Sequence, residues 1–478
     1  YLTGEVGSGS ESYYTGAVAG GEPPGQWWGA GAEVLGLTGL VDAEVMHAVY
    51  DTYLDPRDES FADPDTRATA ATLGRAPKRF RTAEQVVTDR LQAYAETHDG
   101  TAPSPEEVRA WQVTAERDTP NAVKFYDLTF SPDKSVTVMY AAFARAGHEA
   151  RETGDMAAAE AWEWRATQVE DAVMQAAAVG LGYVQEHSYT RVGRHGGPGA
   201  TGRWEHTPGL TVARFLQHTS RDDDPQLHMH QAVLNKVQGA DGQWRALDSK
   251  AVLAARPAAG AIMERELEAE LTRRLGVTFE MRPDGLSRRV VGIDPAVEDV
   301  FSGRRHAITG KAGALVAAYE AAVGRPANNL ERSRFLQQAT LATRSGKSHT
   351  AETPAEQAQR WDAHCQADLV TTLTGQAHAV LRHVADRAAA HERLGPGTTA
   401  APLFDVDRVI AEAVEACHIE GGKTTWTRHD LLQHINRVLP DDLGPMEPGQ
   451  VRALLELSLI HISEPTRLRR ISYAVFCL

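Results

Sequence analysis

Three histidines fall close together in the run RFLQHTSRDDDPQLHMHQAVLN: His218, His228 and His230. On a strand, residues i and i+2 point to one face, so His228 and His230 can reach one metal ion. His218 is expected to join them from a neighbouring strand. Three neutral nitrogen ligands with open positions make a catalytic metal site rather than a sealed structural one. The competing reading makes all three ordinary strand residues. Asp127 lies in a strand pattern, AVKFYDLTFS. A carboxylate on the second ring nitrogen fixes a histidine's tautomer and makes it a better ligand; the alternative for Asp127 is a strand-end cap. Tyr1, Tyr13 and Tyr14 are the candidate nucleophiles. A tyrosyl oxygen is a poor nucleophile at its free pKa of about 10, but a metal can lower that barrier or polarise the phosphorus under attack. A purely structural role is the alternative for each tyrosine.

The elements that must position these groups are legible in outline. Strands are expected at Ala122–Ser131, Gly182–Gly193, Leu210–Ser220 and Leu227–Gln238, with an Asp-Gly turn after the last. Helices are expected at Val41–Leu54, at Ser104–Glu116 behind a Ser104/Glu107 capping box, at Lys134–Gly147 and from about Asp155 to Ala178. After Asp248 a helix interrupted at Pro257 leads to a small hairpin and then to mostly helical sequence. Gly395–Asp405 reads as a linker, and a small helical unit follows, with Thr425 as its candidate cap. The fold class is α+β, with an antiparallel sheet, flanking helices and helical segments after it.

The 478 residues are enough for two or three domains. No apolar run is long enough to span a membrane. Three scattered cysteines, Cys365, Cys417 and Cys477, form neither a zinc nor a disulfide pattern, which fits a reducing compartment. The net charge of -15 argues against nucleic acid as a partner, but its distribution softens the point. Residues 1–60 carry ten acids and one base, whereas residues 191–250, around the histidines, carry eight bases and six acids.

The two ends have their own reading. The chain starts at Tyr1 rather than Met, so preceding residues are expected to be missing. Leu457–Arg467 and Ile471–Leu478 look like translated sequencing-adapter DNA. Native sequence is therefore expected to end near Glu456, and residues 457–478 carry no functional weight.

The runs YDLTFSPDKSV and ARFLQHTSRDDDPQLHMHQAVLNKVQGADGQWRALD resemble the hallmarks of MobF-class conjugative relaxases, the TrwC/TraI-like family, and GEPPGQWWGAGAEVLGLTGLVD matches its N-terminal pattern. The resemblance implies a histidine-hydrophobe-histidine endonuclease fold over residues 1–310, a helical extension over 311–400 and the start of a helicase-associated region over 401–456. It implies that a tyrosine attacks the scissile phosphate of one strand at a transfer origin and stays on the 5′ end until the strands are rejoined. Tyr1 corresponds best to the first tyrosine cluster, and Tyr13 and Tyr14 to the second. His218, His228 and His230 become ligands of a divalent ion, Mg²⁺ or Mn²⁺, and Asp127 the aspartate behind one of them. All-imidazole ligation of a hard ion is an unusual pairing on ligand preference alone.

The same resemblance implies single-stranded or hairpin origin DNA as substrate, a coupling protein and accessory relaxosome proteins as partners, and a cytoplasmic setting. Lys134, Arg214 and Arg221 then become candidate phosphate contacts. Trp27, Trp28 and Trp244 become candidate stacking platforms, each worth about 1–3 kcal/mol per base. Gly346, Lys347 and Ser348 echo a phosphate loop, but Leu341 stands where that motif needs glycine, so no ATP site is assigned. Two other readings use the same residues. One is a metal-dependent hydrolase, nuclease or oxygenase with water or O₂ at the metal. The other is a non-catalytic DNA-binding or replication-initiation protein.

Overall fold

Two long strands, Val212–Thr219 and Pro225–Leu234, buried on both faces, organise the molecule. The computed structural model describes residues 18, 22–77, 81–98, 102–118, 122–194, 196–197, 199–220, 222–343, 352–394, 406–421, 426–444 and 446–463. Its elements begin with β1 (Gln26–Trp28), α1 (Ala30–Val34), α2 (Ala43–Asp51), α3 (Ala83–Thr97), α4 (Pro105–Asp118) and β2 (Phe125–Phe130). There follow α5 (Lys134–Glu152), α6 (Met156–Glu186), β3 (Tyr189–Val192), β4 (Arg203–His206), β5 (Val212–Thr219), β6 (Pro225–Leu234), β7 (Val237–Gln238) and β8 (Trp244–Arg245). The remainder is α7 (Ser249–Leu275), β9 (Phe279–Met281), β10 (Arg288–Val290), α8 (Pro295–Val300), α9 (Gly303–Val323) and α10 (Asn329–Ala342). It ends with α11 (Pro354–Asp368), α12 (Leu373–Leu394), α13 (Val406–Gly421), α14 (Arg428–Val438) and α15 (Gln450–Ser463).

The main sheet is antiparallel, in the order β1-β5-β6-β2. Side chains on one face (Leu128, Val212, Leu216, Met229, Val233) enter the larger core with α5, α6 and α7. Those on the other face (Phe125, Ala213, Phe215, Ala232, Leu234) pack with α2 and the turns after it. The period of two along each strand makes this division. Tyr50 of α2 locks the second face: its hydroxyl donates to Ala232 O at 2.8 Å and accepts from Ala213 N at 3.0 Å.

Three expectations change on contact with the structure. The strand expected over Gly182–Gly193 is mostly helix: α6 runs on to Glu186, and only Tyr189–Val192 is extended. Leu181, Tyr183 and Val184 are buried at helical spacing, so packing overrides the β preference of Tyr and Val. Pro257 does not interrupt α7, because Ala255, Ala258 and Ala259 hold it in the core on both sides of the proline. There Gly180 of α6 admits close approach, since a Cβ would lie 2.8 Å from Ala259 O. The cap of α14 is Thr427, in a capping box with Asp430; Thr425 lies outside the described residues.

Described residues of α13, α14 and α15 share the main core. Val409, Ala413, Leu431, Ile435 and Leu455 belong to the cluster that reaches back to Leu128. The stretch expected as a linker falls at residues 395–405, outside the described residues, as do Gly346–Ser348 and residues 464–478. Among the described residues, no helix is long and apolar enough to cross a membrane.

Candidate metal centre and its surroundings

The β2–β6 and β5–β6 ladders set the site. Thr129 lies opposite His230 on one side, and Phe215 opposite it on the other. Gln217 lies opposite His228. Directly opposed residues share a face with Cβ atoms about 4.5–5.5 Å apart. Thr129, Phe215, Gln217, His228 and His230 thus share one face, and Asp127 joins them at i−2 from Thr129. The two imidazoles stand edge to face, their centroids 4.9 Å apart.

Each ring is held through Nδ1. His228 Nδ1 donates to Gln226 O at 2.8 Å. His230 Nδ1 donates to Asp127 Oδ2 at 2.8 Å, with Thr129 Oγ1 at 3.2 Å. Donation from Nδ1 makes Nε2 the lone-pair nitrogen of each ring, the form a metal requires. Two imidazoles on one face, one backed by a carboxylate, are a donor set that fits a divalent cation. Gly25 keeps the chain close to this face, because a Cβ there would collide with the Phe215 ring at 2.3 Å.

His218 is elsewhere. The β5–β6 register shifts between Gln217 and Thr219, and His218 projects toward the helices, stacked on Tyr140 of α5 at 5.2 Å. Its Nδ1 lies 2.7 Å from Glu22 Oε2 and its Nε2 2.9 Å from Glu170 Oε1. Burial alone would lower its pKa, but hydrogen bonds to Glu170 and Glu22 reverse this and raise it to about 9. Both ring nitrogens are thus engaged by carboxylates, on the side of the sheet away from His228 and His230. The three-histidine set expected from sequence is therefore not assembled. Among the described residues, no three His, Cys, Asp or Glu side chains are placed to hold one ion. His218 instead ties Glu22, eight residues after Tyr14, to β5 and α6.

The TrwC relaxase family model matches residues 1–367. The chain belongs to the TrwC relaxase family. The multifunctional conjugation protein TraI of Escherichia coli is 29% identical over 334 residues, covering 67% of this chain and 16% of that protein. TraI of E. coli strain K12 is 28% identical over 333 residues, with the same coverage. The chain thus spans about a sixth of the length of these curated relatives. The metal-free structure of conjugative relaxase TrwC in complex with oriT DNA aligns with a TM-score of 0.48 at 24% identity, covering 75% of this chain and 93% of that one. The metal-bound TrwC–oriT DNA structure gives 0.47 at 23%, covering 75% and 94%.

Within this TrwC-family chain, several expected DNA contacts are turned inward. Arg214 is 8% exposed and donates to Met174 O at 2.6 Å beneath α6. Lys134 Nζ donates to Pro225 O at 2.9 Å. Burial lowers its pKa to about 8, against the opposing pull of Asp224, Asp133 and Glu298. Trp244 is buried in the smaller core, and Arg57 covers its ring at 5.8 Å, so it is no platform for a base. Trp27 packs beside Tyr50 at 6.1 Å, and Trp28 leans on the larger core. Tyr1, Tyr13, Tyr14 and Arg221 lie outside the described residues.

Other residues take up positions that the sequence reading missed. Thr129 was recoverable from its i+2 spacing to Asp127 on a strand. Exposed Arg256 of α7 lines a small cleft with Asp127 and Thr129 at the outer edge of β2. Only tertiary packing brings it there. Glu22, Glu170 and Tyr140 around His218 carry no local signal, since they come from three distant parts of the chain.

Proposed function

We propose that this chain is a conjugative relaxase that nicks one strand of transfer-origin DNA by tyrosine transesterification. Membership of the TrwC relaxase family supports the reading. The observation that carries it is the His228–His230 pair, presented on one sheet face with Asp127 behind His230. A tyrosine oxygen from the N-terminal cluster (Tyr1, Tyr13 or Tyr14) attacks the scissile phosphorus. The P–O bond to the 3′ oxygen breaks, the 5′ phosphate stays on the tyrosine, and the 3′-OH leaves. Reversal by a 3′-OH rejoins the strands, and the phosphotyrosyl ester conserves the bond energy, so ATP is not required.

His228 and His230 would hold the divalent ion, Mg²⁺ or Mn²⁺, and Asp127 would fix the His230 ring. When bound, the ion supplies positive charge where negative charge builds on the non-bridging phosphate oxygens. Arg256 is the proposed cation on the rim for the neighbouring backbone. Single-stranded or hairpin origin DNA is the proposed substrate. A coupling protein, accessory relaxosome proteins and a cytoplasmic location complete the proposal.

The test incubates the chain with 5′- and 3′-labelled origin strands in Mn²⁺ or in EDTA. A metal-dependent covalent adduct on the 5′-phosphate side, mapped by peptide mass spectrometry to Tyr1, Tyr13 or Tyr14, is the expected result. Strand cleavage without an adduct would make water the nucleophile and replace this reading with a hydrolase.

A further inference from the structure

We propose that Gln217, and not His218, supplies the third protein ligand beside His228 and His230, giving a two-imidazole, one-amide site for a hard divalent ion. The inference rests on the metal-assisted reading above. Its first support is register. Gln217 is the cross-strand partner of His228, and Phe215, two residues earlier, is the partner of His230. The face that carries the two imidazoles therefore carries the Gln217 side chain next to them. Its second support is the fate of His218. A one-residue step along a strand changes face, and His218 lies on the helical side, against Tyr140, with a carboxylate on each ring nitrogen.

The third support is chemical. Gln217 is 1% exposed on a face whose neighbouring β5 positions are Phe215 and Ala213. An amide there is an oxygen donor within the protein interior, beside two nitrogen donors. Amide and carbonyl oxygens suit Mg²⁺ and Mn²⁺, whereas an all-imidazole set leans toward zinc, copper and nickel. Two imidazoles and one amide oxygen would hold the ion and leave it accessible to water and phosphate oxygens. The substitution of oxygen for one nitrogen thus removes the mismatch between a hard ion and an all-histidine site. His218 becomes a positioning residue that ties the segment at Glu22 to β5 and α6.

Calorimetric titration of the full chain with Mn²⁺, and counting of nitrogen ligands by pulsed electron paramagnetic resonance, tests the assignment without reference to cleavage. Two coordinated imidazoles are expected in the wild-type chain. Gln217→Ala is expected to weaken Mn²⁺ binding by about 10-fold or more, a loss at least as large as that typical for groups behind a ligand. Gln217→Glu keeps an oxygen donor and adds charge, so it should bind Mn²⁺ more tightly than the wild type. It also guards against a folding defect in the alanine variant. Gln217→His should add a third nitrogen and shift preference from Mn²⁺ toward Zn²⁺. His218→Gln should lower the melting temperature while leaving the Mn²⁺ dissociation constant within about threefold, less than the tenfold that 1.4 kcal/mol represents. Three nitrogens in the wild type, or a loss of Mn²⁺ affinity on His218→Gln with none on Gln217→Ala, would overturn the proposal. So would wild-type protein that binds no Mn²⁺ in the presence of origin DNA. If Mn²⁺ binds as described but no tyrosyl adduct forms, the ligand assignment stands and the relaxase reading falls.

Discussion

Asp127 Oδ2 accepts from His230 Nδ1 at 2.8 Å, across the pairing of β2 with β6. This one contact fixes the ring's tautomer and its rotation, because a neutral imidazole that donates from Nδ1 presents its lone pair at Nε2. Thr129 reinforces it, with its hydroxyl 3.3 Å from the same carboxylate oxygen and 3.2 Å from the same ring nitrogen. Asp127→Ala is expected to reduce Mn²⁺ affinity by about 10–100-fold, with cleavage recovering as Mn²⁺ is raised. Titration of cleavage rate against Mn²⁺ separates this from a direct chemical role. A rate that stays low at saturating metal would show that Asp127 does more than orient the ring.

The two faces of β6 explain what the sequence could and could not disclose. The HxH spacing places His228 and His230 together wherever that segment is a strand, so the pair was legible. Asp127 was legible for the same reason, as a carboxylate on a strand. His218 was not, because the choice between Gln217 and its neighbour depends on register, and a one-residue step exchanges faces. The end of α6 was misread because Tyr183 and Val184 favour strands locally, while the core decides for helix. The inward turn of Arg214 and Lys134 depends on Met174 and Pro225, which only the fold brings near.

Arg214 and Arg256 should separate cleanly in DNA binding. Arg214 is buried against the backbone of α6, whereas Arg256 is exposed beside Asp127 and Thr129. Arg256→Ala is expected to reduce the slope of log affinity against log salt by about 1. Arg214→Ala should leave that slope unchanged and instead cost roughly 1.5–3 kcal/mol of stability, the range for a hydrogen bond to a charged group. Fluorescence anisotropy of labelled origin DNA across a salt series, with thermal melts alongside, checks both. A changed slope for Arg214→Ala would return that residue to the DNA surface.

Two buried arginines hold the C-terminal end of α14. Arg265, 1% exposed, donates to Asn436 Oδ1 at 3.1 Å and to Pro440 O at 3.0 Å. Arg288 donates to Asn436 O at 2.8 Å and Leu439 O at 2.7 Å. Cations at a helix C-terminus satisfy its last carbonyls and complement its dipole. Removing one partner of a buried ionic cluster typically costs about 3–5 kcal/mol. Arg265→Ala is therefore expected to lower the melting temperature and to open residues 426–463 to trypsin before the rest of the chain. Proteolysis at the wild-type rate would mean that the apolar contacts of Leu431, Leu432 and Ile435 suffice.

His429 gives the docking of α14 a pH dependence of definite sign. Its Nδ1 lies 2.8 Å from the Tyr183 hydroxyl, and the His187 ring meets it edge to face at 5.2 Å. Burial lowers its pKa to about 4, helped by the charges of His187 and Arg428 and opposed by Asp430. In the unfolded chain the ordinary value is about 6.5. Between these values the unfolded chain binds the extra proton, so the contribution of a neutral His429 is complete above about pH 6.5 and is lost as pH falls toward 4. Discounted for the solvent that reaches the ring, the loss is about 1–2 kcal/mol. His429→Gln keeps a polar partner for Tyr183 but cannot titrate. The difference in melting temperature between wild type and variant should therefore be flat above pH 6.5 and shift in the variant's favour as pH drops to 4.5. A difference that stays constant over this range would show that His429 takes up its proton in the folded chain as readily as in the unfolded one.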